Sequence, residues 1–137
     1  MPQTAVVLVE DLVFSSKLRV AAQATGAVAY VTDEPAELLR QARAGAATLF
    51  LVDLNFARAD ALSLVAQVRA MTAPRGVPII GFLSHVQVER AQQALQAGCT
   101  AAMPRSAFVR HLPALLREGV GALPPASQPS PAAETQP

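Results

Sequence analysis

The chain has 137 residues and a mass of 14.3 kDa, room for one hydrophobic core and little more. Its residues are 52% hydrophobic and 15% charged, enough apolar surface to exclude a wholly disordered chain. With 11 basic against 10 acidic side chains it lacks the clustered basic excess that nucleic acid and anionic membranes normally demand, so neither is expected as a partner.

The first apolar run, Ala5 to Val9, stops at Glu10-Asp11. It is too short for a signal or membrane segment and suits a strand buried on both faces. Ser15 or Ser16 is the expected cap of a helix running to about Thr25, with Leu18, Ala21 and Ala22 at helical spacing and Gly26 as its end. Ala27 to Val31 is the second strand. Thr32-Asp33-Glu34-Pro35 then places a cap and a proline at the first turn of a second helix that carries Leu38, Leu39 and Ala42 and ends near Gly45. Thr48 to Val52 is a third strand, closed by Asp53. A helix from Asp60 or Ala61 to Ala70 follows and is broken by Pro74-Arg75-Gly76.

Val77 to Leu83 reads as the fourth strand, Val86 to Ala97 as a helix ended by Gly98, and Thr100 to Met103 as a fifth strand supported by its place in the alternation. Pro113 removes a backbone donor within Ser106 to Glu118. Either a short turn precedes a helix starting at Leu112-Pro113, or one helix is kinked there. From Gly119 onward Pro, Ala and Ser dominate without apolar periodicity, so a folded domain over 1–119 and a disordered tail over 120–137 are expected. The single cysteine, Cys99, can close no internal disulfide and reads as a buried structural thiol; a reducing, cytoplasmic setting follows.

Five apolar runs alternating with five amphipathic helices require a doubly wound α/β domain, a five-stranded parallel sheet with helices on both faces. In such a fold chemistry sits beyond the carboxyl ends of the strands. Those ends carry Glu10-Asp11, Thr32-Asp33, Asp53-Leu54-Asn55, Leu83-Ser84-His85 and Pro104-Arg105. Glu10, Asp11 and Asp53 converge there, and three close carboxylates repel unless one is protonated or a divalent cation joins them, which makes Mg²⁺ the economical reading. The competing reading is that each acid caps the next helix or faces solvent.

Taken in order, VVLVED (Val6 to Asp11), LFLVDLN (Leu49 to Asn55), VPII (Val77 to Ile80) and LQAG (Leu95 to Gly98) resemble the receiver domains of bacterial two-component response regulators, over about residues 4 to 118. That resemblance implies a flavodoxin-like (βα)5 fold, with Glu10 and Asp11 as a Mg²⁺-binding pair, Asp53 as phosphoacceptor and the backbone carbonyl of Asn55 as a further metal ligand. It also implies a signalling protein as partner, a histidine kinase or a downstream effector.

The departures from the family pattern are as informative. Leu83 stands where the family carries a phosphate-binding Thr or Ser, and the nearest hydroxyl, Ser84, is one residue out of phase and would serve only at a bulged strand end. Arg105 replaces the family Lys and could pair with Asp53 without metal. Ala102 stands at the aromatic switch position, and Ser106 replaces the proline after the Lys. The reading that follows is a degenerate, stand-alone pseudo-receiver rather than an enzyme, acting through protein contacts, with phosphorylation weak or absent. A working phosphoacceptor using Mg²⁺ and Asp53 in a phosphorelay is its rival. A homodimer is expected on the face of the fourth helix, fifth strand and fifth helix, presenting Val86, Val88, Arg90, Ala94 and the Phe108-to-Leu116 segment. A dehalogenase-type phosphatase would want a second Asp at Asn55, and nucleotide binding would want glycines after the first strand, where the chain has Glu10 to Phe14. His85 and His111 fall in no catalytic or ligating spacing, and Phe56 reads as a packing residue.

Overall fold

The structure is a computed structural model that describes residues 3–85 and 87–123. Five strands, β1 (Thr4–Leu8), β2 (Val28–Thr32), β3 (Leu49–Asp53), β4 (Ile79–Leu83) and β5 (Ala101–Pro104), form one parallel sheet in the order β2-β1-β3-β4-β5. Between and after them run α1 (Leu12–Thr25), α2 (Pro35–Ala44), α3 (Ala61–Thr72), α4 (Val88–Ala97) and α5 (Arg105–Glu118), giving the doubly wound (βα)5 architecture expected from the apolar alternation.

Side chains alternate across the sheet and build two cores. On one face Val6, Phe50, Val52 and Ile79 pack under α2, α3 and α4 with Leu38, Val65 and Ala94. On the other, Val7, Leu49, Leu51, Ile80 and Phe82 meet Phe14 and Leu18 of α1 and Phe108 and Leu112 of α5. Because β3 alternates, Asp53 is in phase with Leu49 and Leu51 and opens onto the α1–α5 side. The central strand is buried at every position, so this carboxylate stands at the end of a wholly desolvated strand.

Two local expectations are corrected, and of the two alternatives left open at Pro113 the single helix is the one found. α1 is capped by Asp11, whose side chain accepts the Phe14 amide, and so begins three residues before Ser15; that serine is buried and its hydroxyl donates to the Asp11 carbonyl instead. The last helix starts at Arg105 and runs through Pro113 as one element. Pro113 cannot donate to the Val109 carbonyl, but the buried stripe Phe108, Leu112, Leu115 and Leu116 holds the helix to the sheet across that gap. The α4–β5–α5 surface is also narrower than expected, for Ala94 and Phe108 are fully buried, Arg90 is half-buried, and Val86 lies outside the described residues. Chain reversals that relied on glycine hold: Gly26 and Gly45 sit at φ 75° and 83°, left-handed values that end α1 and α2.

Val120–Ala122 form a single 3-10 turn after α5, and Leu123 is buried in the α1–α5 core. The remainder of the tail expected from residue 120, residues 124–137, lies outside the described residues.

Gly81 in β4 faces Leu54, and a Cβ there would stand 2.6 Å from Leu54 Cδ1 and 2.8 Å from Cγ. Leu54 is fully buried, so its side chain can yield only by displacing its core neighbours. Gly81→Ala is expected to lose about 1–3 kcal/mol in urea denaturation, the range for overpacking a dense core.

Candidate functional site

Asp53 is 5% exposed, and its two oxygens are both engaged. Oδ1 accepts the Asn55 amide at 2.8 Å and Oδ2 faces Arg105 Nη2 at 3.4 Å. Burial pushes its carboxyl above the ordinary carboxylate range, and the Asn55 amide and the Arg105 charge only partly counter that. Asp11, more exposed, goes the other way. Its Oδ1 accepts the Phe14 amide at 3.1 Å and its Oδ2 meets Arg105 Nη1 at 3.2 Å, and these two contacts hold it below the usual range.

Arg105 therefore bridges the acids that end β1 and β3 from the first turn of α5. Both ion-pair distances exceed the 2.7–2.9 Å of a strong charge-assisted bond, so the pairs alone do not account for its placement. The rest comes from the rings beneath. Its guanidinium carbon lies 4.4 Å from the Phe14 centroid and 5.7 Å from that of Phe82. Phe82 in turn stacks on Phe108 at 4.6 Å. A cation over a ring contributes about 0.5–2 kcal/mol depending on desolvation, comparable with a partly exposed ion pair. Arg105 Nε is buried with no hydrogen-bond partner among the described residues, which marks a seat shaped by the rings as much as by the acids.

Glu10 is held by a second arginine, which sequence reasoning missed. Its Oε1 accepts the Ala57 amide at 2.9 Å and its Oε2 pairs with Arg58 Nε at 3.2 Å. Arg58 also pairs with Asp33 at 3.2 Å and Glu34 at 3.9 Å, donates to the Asp33 carbonyl, and lies 5.6 Å from the ring of buried Phe56. It thus ties the β3–α3 loop to the ends of β1 and β2. The available signal was a lone basic residue five places after Asp53.

The three acids do come together at one end of the sheet, yet each already has a guanidinium partner. Among the described residues no group of three His, Cys, Asp or Glu side chains is placed to hold a metal ion. Glu10, Asp11 and Asp53, which the family resemblance assigns to Mg²⁺ together with the Asn55 carbonyl, are paired here with arginine. Two planar forks, Arg58 and Arg105, supply the positive charge beside them.

The remaining candidates lie around this centre. Leu83 is buried in the α2–α3–α4 core, and β4 pairs with β5 without a bulge from Ile80↔Ala101 to Leu83↔Pro104. Ser84 turns to Asn55, whose Oδ1 accepts the Ser84 amide at 2.8 Å and its hydroxyl at 3.1 Å. Asn55 Nδ2 donates to Gln87, and Arg90 donates twice to the Leu54 carbonyl, tying the loop after Asp53 to α4. Leu83 and Ala102, where the family pattern has its hydroxyl and aromatic, line one apolar pocket of about 200 Å³ with Val88 and Leu95. His85 is exposed beside Ser84, and His111 lies within α5. Cys99 is buried, and burial pushes its thiol up to about 12, so it is inert at neutral pH.

Asp53 makes the site's pH dependence testable. A carboxyl raised by burial binds its proton more tightly in the folded state, so its contribution to stability is full below the ordinary value of 3.8 and is lost as pH rises through the folded midpoint. Asp53→Asn, which keeps the acceptor for the Asn55 amide, is expected to be at least as stable as the wild type at pH 7, the difference shrinking toward pH 3 in urea titrations. Arg105→Ala removes the opposing charge and should raise the Asp53 midpoint further, read from its side-chain ¹³C shift.

No family model and no curated protein matches the chain. Solved structures do. A CheY-like response regulator receiver domain protein from Methanospirillum hungatei JF-1 superposes with a TM-score of 0.73 at 15% identity, over 86% of this chain and 93% of that one. A response regulator from Burkholderia pseudomallei, solved with a phosphorylated aspartic acid, calcium ion and citrate, gives 0.73 at 21% identity, over 87% of this chain and 69% of its own. The Mn²⁺-bound form of response regulator Rcp1 gives 0.70 at 9% identity, over 94% and 100%. With its site already traced at the ends of β1, β3 and β5, the chain has the flavodoxin-like fold of CheY-like response regulator receiver domains.

Proposed function

We propose that this chain is a receiver-fold signalling module that works by contacting other proteins, with Asp53 phosphorylation weak or absent. The observation that carries this reading is Arg105, which joins Asp53 and Asp11 at 3.4 and 3.2 Å over the Phe14 ring. For an aspartate to attack a phosphoryl group, one oxygen must approach in line while a cation neutralises charge growing on the equatorial oxygens. Here Asp53 Oδ1 is tied to the Asn55 amide and Oδ2 to Arg105, and entry of a phosphoryl group would require Arg105 to leave both acids and its ring. Leu83 cannot hydrogen-bond a phosphoryl oxygen.

Transmission inside the domain is altered as well. With Leu83 and Ala102 lining an apolar pocket, the positions at which the family pattern places hydroxyl and aromatic carry packing groups only. Signal therefore passes through the outer surface, to a second signalling protein. The homodimer expected on α4–β5–α5 gains little area from that face, where Val88 is the exposed large apolar side chain of α4 among the described residues.

Incubation with acetyl phosphate and Mg²⁺, read by intact mass, tests the reading. No stoichiometric gain is expected in the folded wild type. A gain of one phosphoryl group, about 80 Da, absent from Asp53→Asn, would overturn it and establish a working phosphoacceptor.

A further inference from the structure

The α1–α5 side carries a surface that neither the site nor the core accounts for. A groove of about 630 Å³ runs between the two helices, with Val13, Val20 and Ala24 on one wall and Val109 and Pro113 on the other, above buried Phe14, Leu18 and Leu112. Val13 and Val20 are 69% and 65% exposed, two turns apart on one stripe of α1. Stability does not call for them, since Phe14, Leu18 and Ala22 already bind that helix to the sheet. Apolar side chains that repeat along a groove are the imprint of a partner's apolar stripe.

The one charged residue lining the groove is basic, and the exposed charges of α5 beside it are basic too. Lys17 stands within the α1 stripe, and Arg110 and Arg117 lie one helical turn before and after Pro113 on α5. All three are exposed. α1 carries no acid, and the acid of α5 is Glu118 in its last turn. The chain as a whole is nearly neutral, so this basic clustering is local.

We infer that the α1–α5 groove docks an acidic amphipathic helix of another protein, its apolar stripe seated between Val13, Val20 and Val109 and its carboxylates flanking Lys17, Arg110 and Arg117. This rests on the reading that the chain acts through protein contacts, and it names that contact. A second copy of the chain is the poorer occupant, because a two-fold axis would bring these cations face to face with one Glu118 per copy to answer them. Residues 124–137 do not match either: they contain no Leu, Ile, Val or Phe and one acid, Glu134. A concave groove also receives a convex helix better than a flat lipid surface.

The test uses the full chain and a labelled synthetic helix bearing leucines at heptad a and d positions, with glutamates on both flanks, followed by fluorescence anisotropy. Saturable binding is expected, with Lys17→Glu and Val20→Asp each weakening it about tenfold or more, as losses at a docking centre do, and Val88→Asp on α4 leaving it unchanged. A version with lysines in place of the glutamates should bind the wild type at least about tenfold more weakly, and the Lys17→Glu variant should narrow that gap. Equal binding of the two peptides, an unchanged affinity in Val20→Asp, binding of phosphatidylserine vesicles with none of the peptide, or a concentration-dependent dimer lost in Val20→Asp would each overturn the inference. The substituted residues are exposed and away from Asp53, so peptide binding and phosphoryl uptake fail or succeed separately.

Discussion

One guanidinium organises the end of this sheet where receiver folds keep their chemistry. Arg105 projects from the start of α5, over Phe14 of α1, to the acids that close β1 and β3. Its seat depends on the parity of the strands: Asp53 opens on the α1–α5 side because Leu49 and Leu51 do, and the stacked Phe82 and Phe108 floor the same side. Ring attraction and ion pairing are of similar size here, so both contribute to holding the arginine in place.

Desolvation explains why such a partner is needed. A carboxylate at the end of a fully buried strand is costly to ionise, and that desolvation is what pushes Asp53 upward. A divalent cation is one remedy and an arginine another. Arg58 pairs with Glu10 while lacing the β3–α3 loop to the ends of β1 and β2, so the three acids are distributed between two forks. The consequence is an end of the sheet whose acids all face guanidinium partners, and the proposed protein contacts fall on the outer faces. There the unpartnered stripe of α1 stands out, because its apolar residues are exposed while the helix is already secured by its inner stripe.

Much of this was legible from residues alone. Continuous apolar runs alternating with helical segments gave the parallel strands, glycines at 26, 45 and 98 marked the helix ends, and Leu83, Ala102 and Arg105 signalled the departure from the family pattern. What was not legible has physical causes. Asp11 outcompeted Ser15 as cap because its side chain could bond the Phe14 amide while its backbone accepted the Ser15 hydroxyl, a choice made by geometry rather than residue type. Pro113 failed to end α5 because four buried side chains fix the helix on both sides of it, tertiary packing overriding a local penalty. Arg58 was hidden because its partners lie 24, 25 and 48 positions away in a loop with no periodicity to read.

The account stands or falls on whether cations from solution can displace these arginines. Titrating the wild-type chain with Mn²⁺ and following the amide resonances of Asn55, Ala57 and Phe14 tests that directly, since a paramagnetic ion bound among Glu10, Asp11 and Asp53 would broaden those neighbours selectively. Arginine closure predicts that the three persist at millimolar Mn²⁺ with no more broadening than distant surface amides. Their early and selective loss, reversed by chelator, would contradict it and restore a metal site at Asp53.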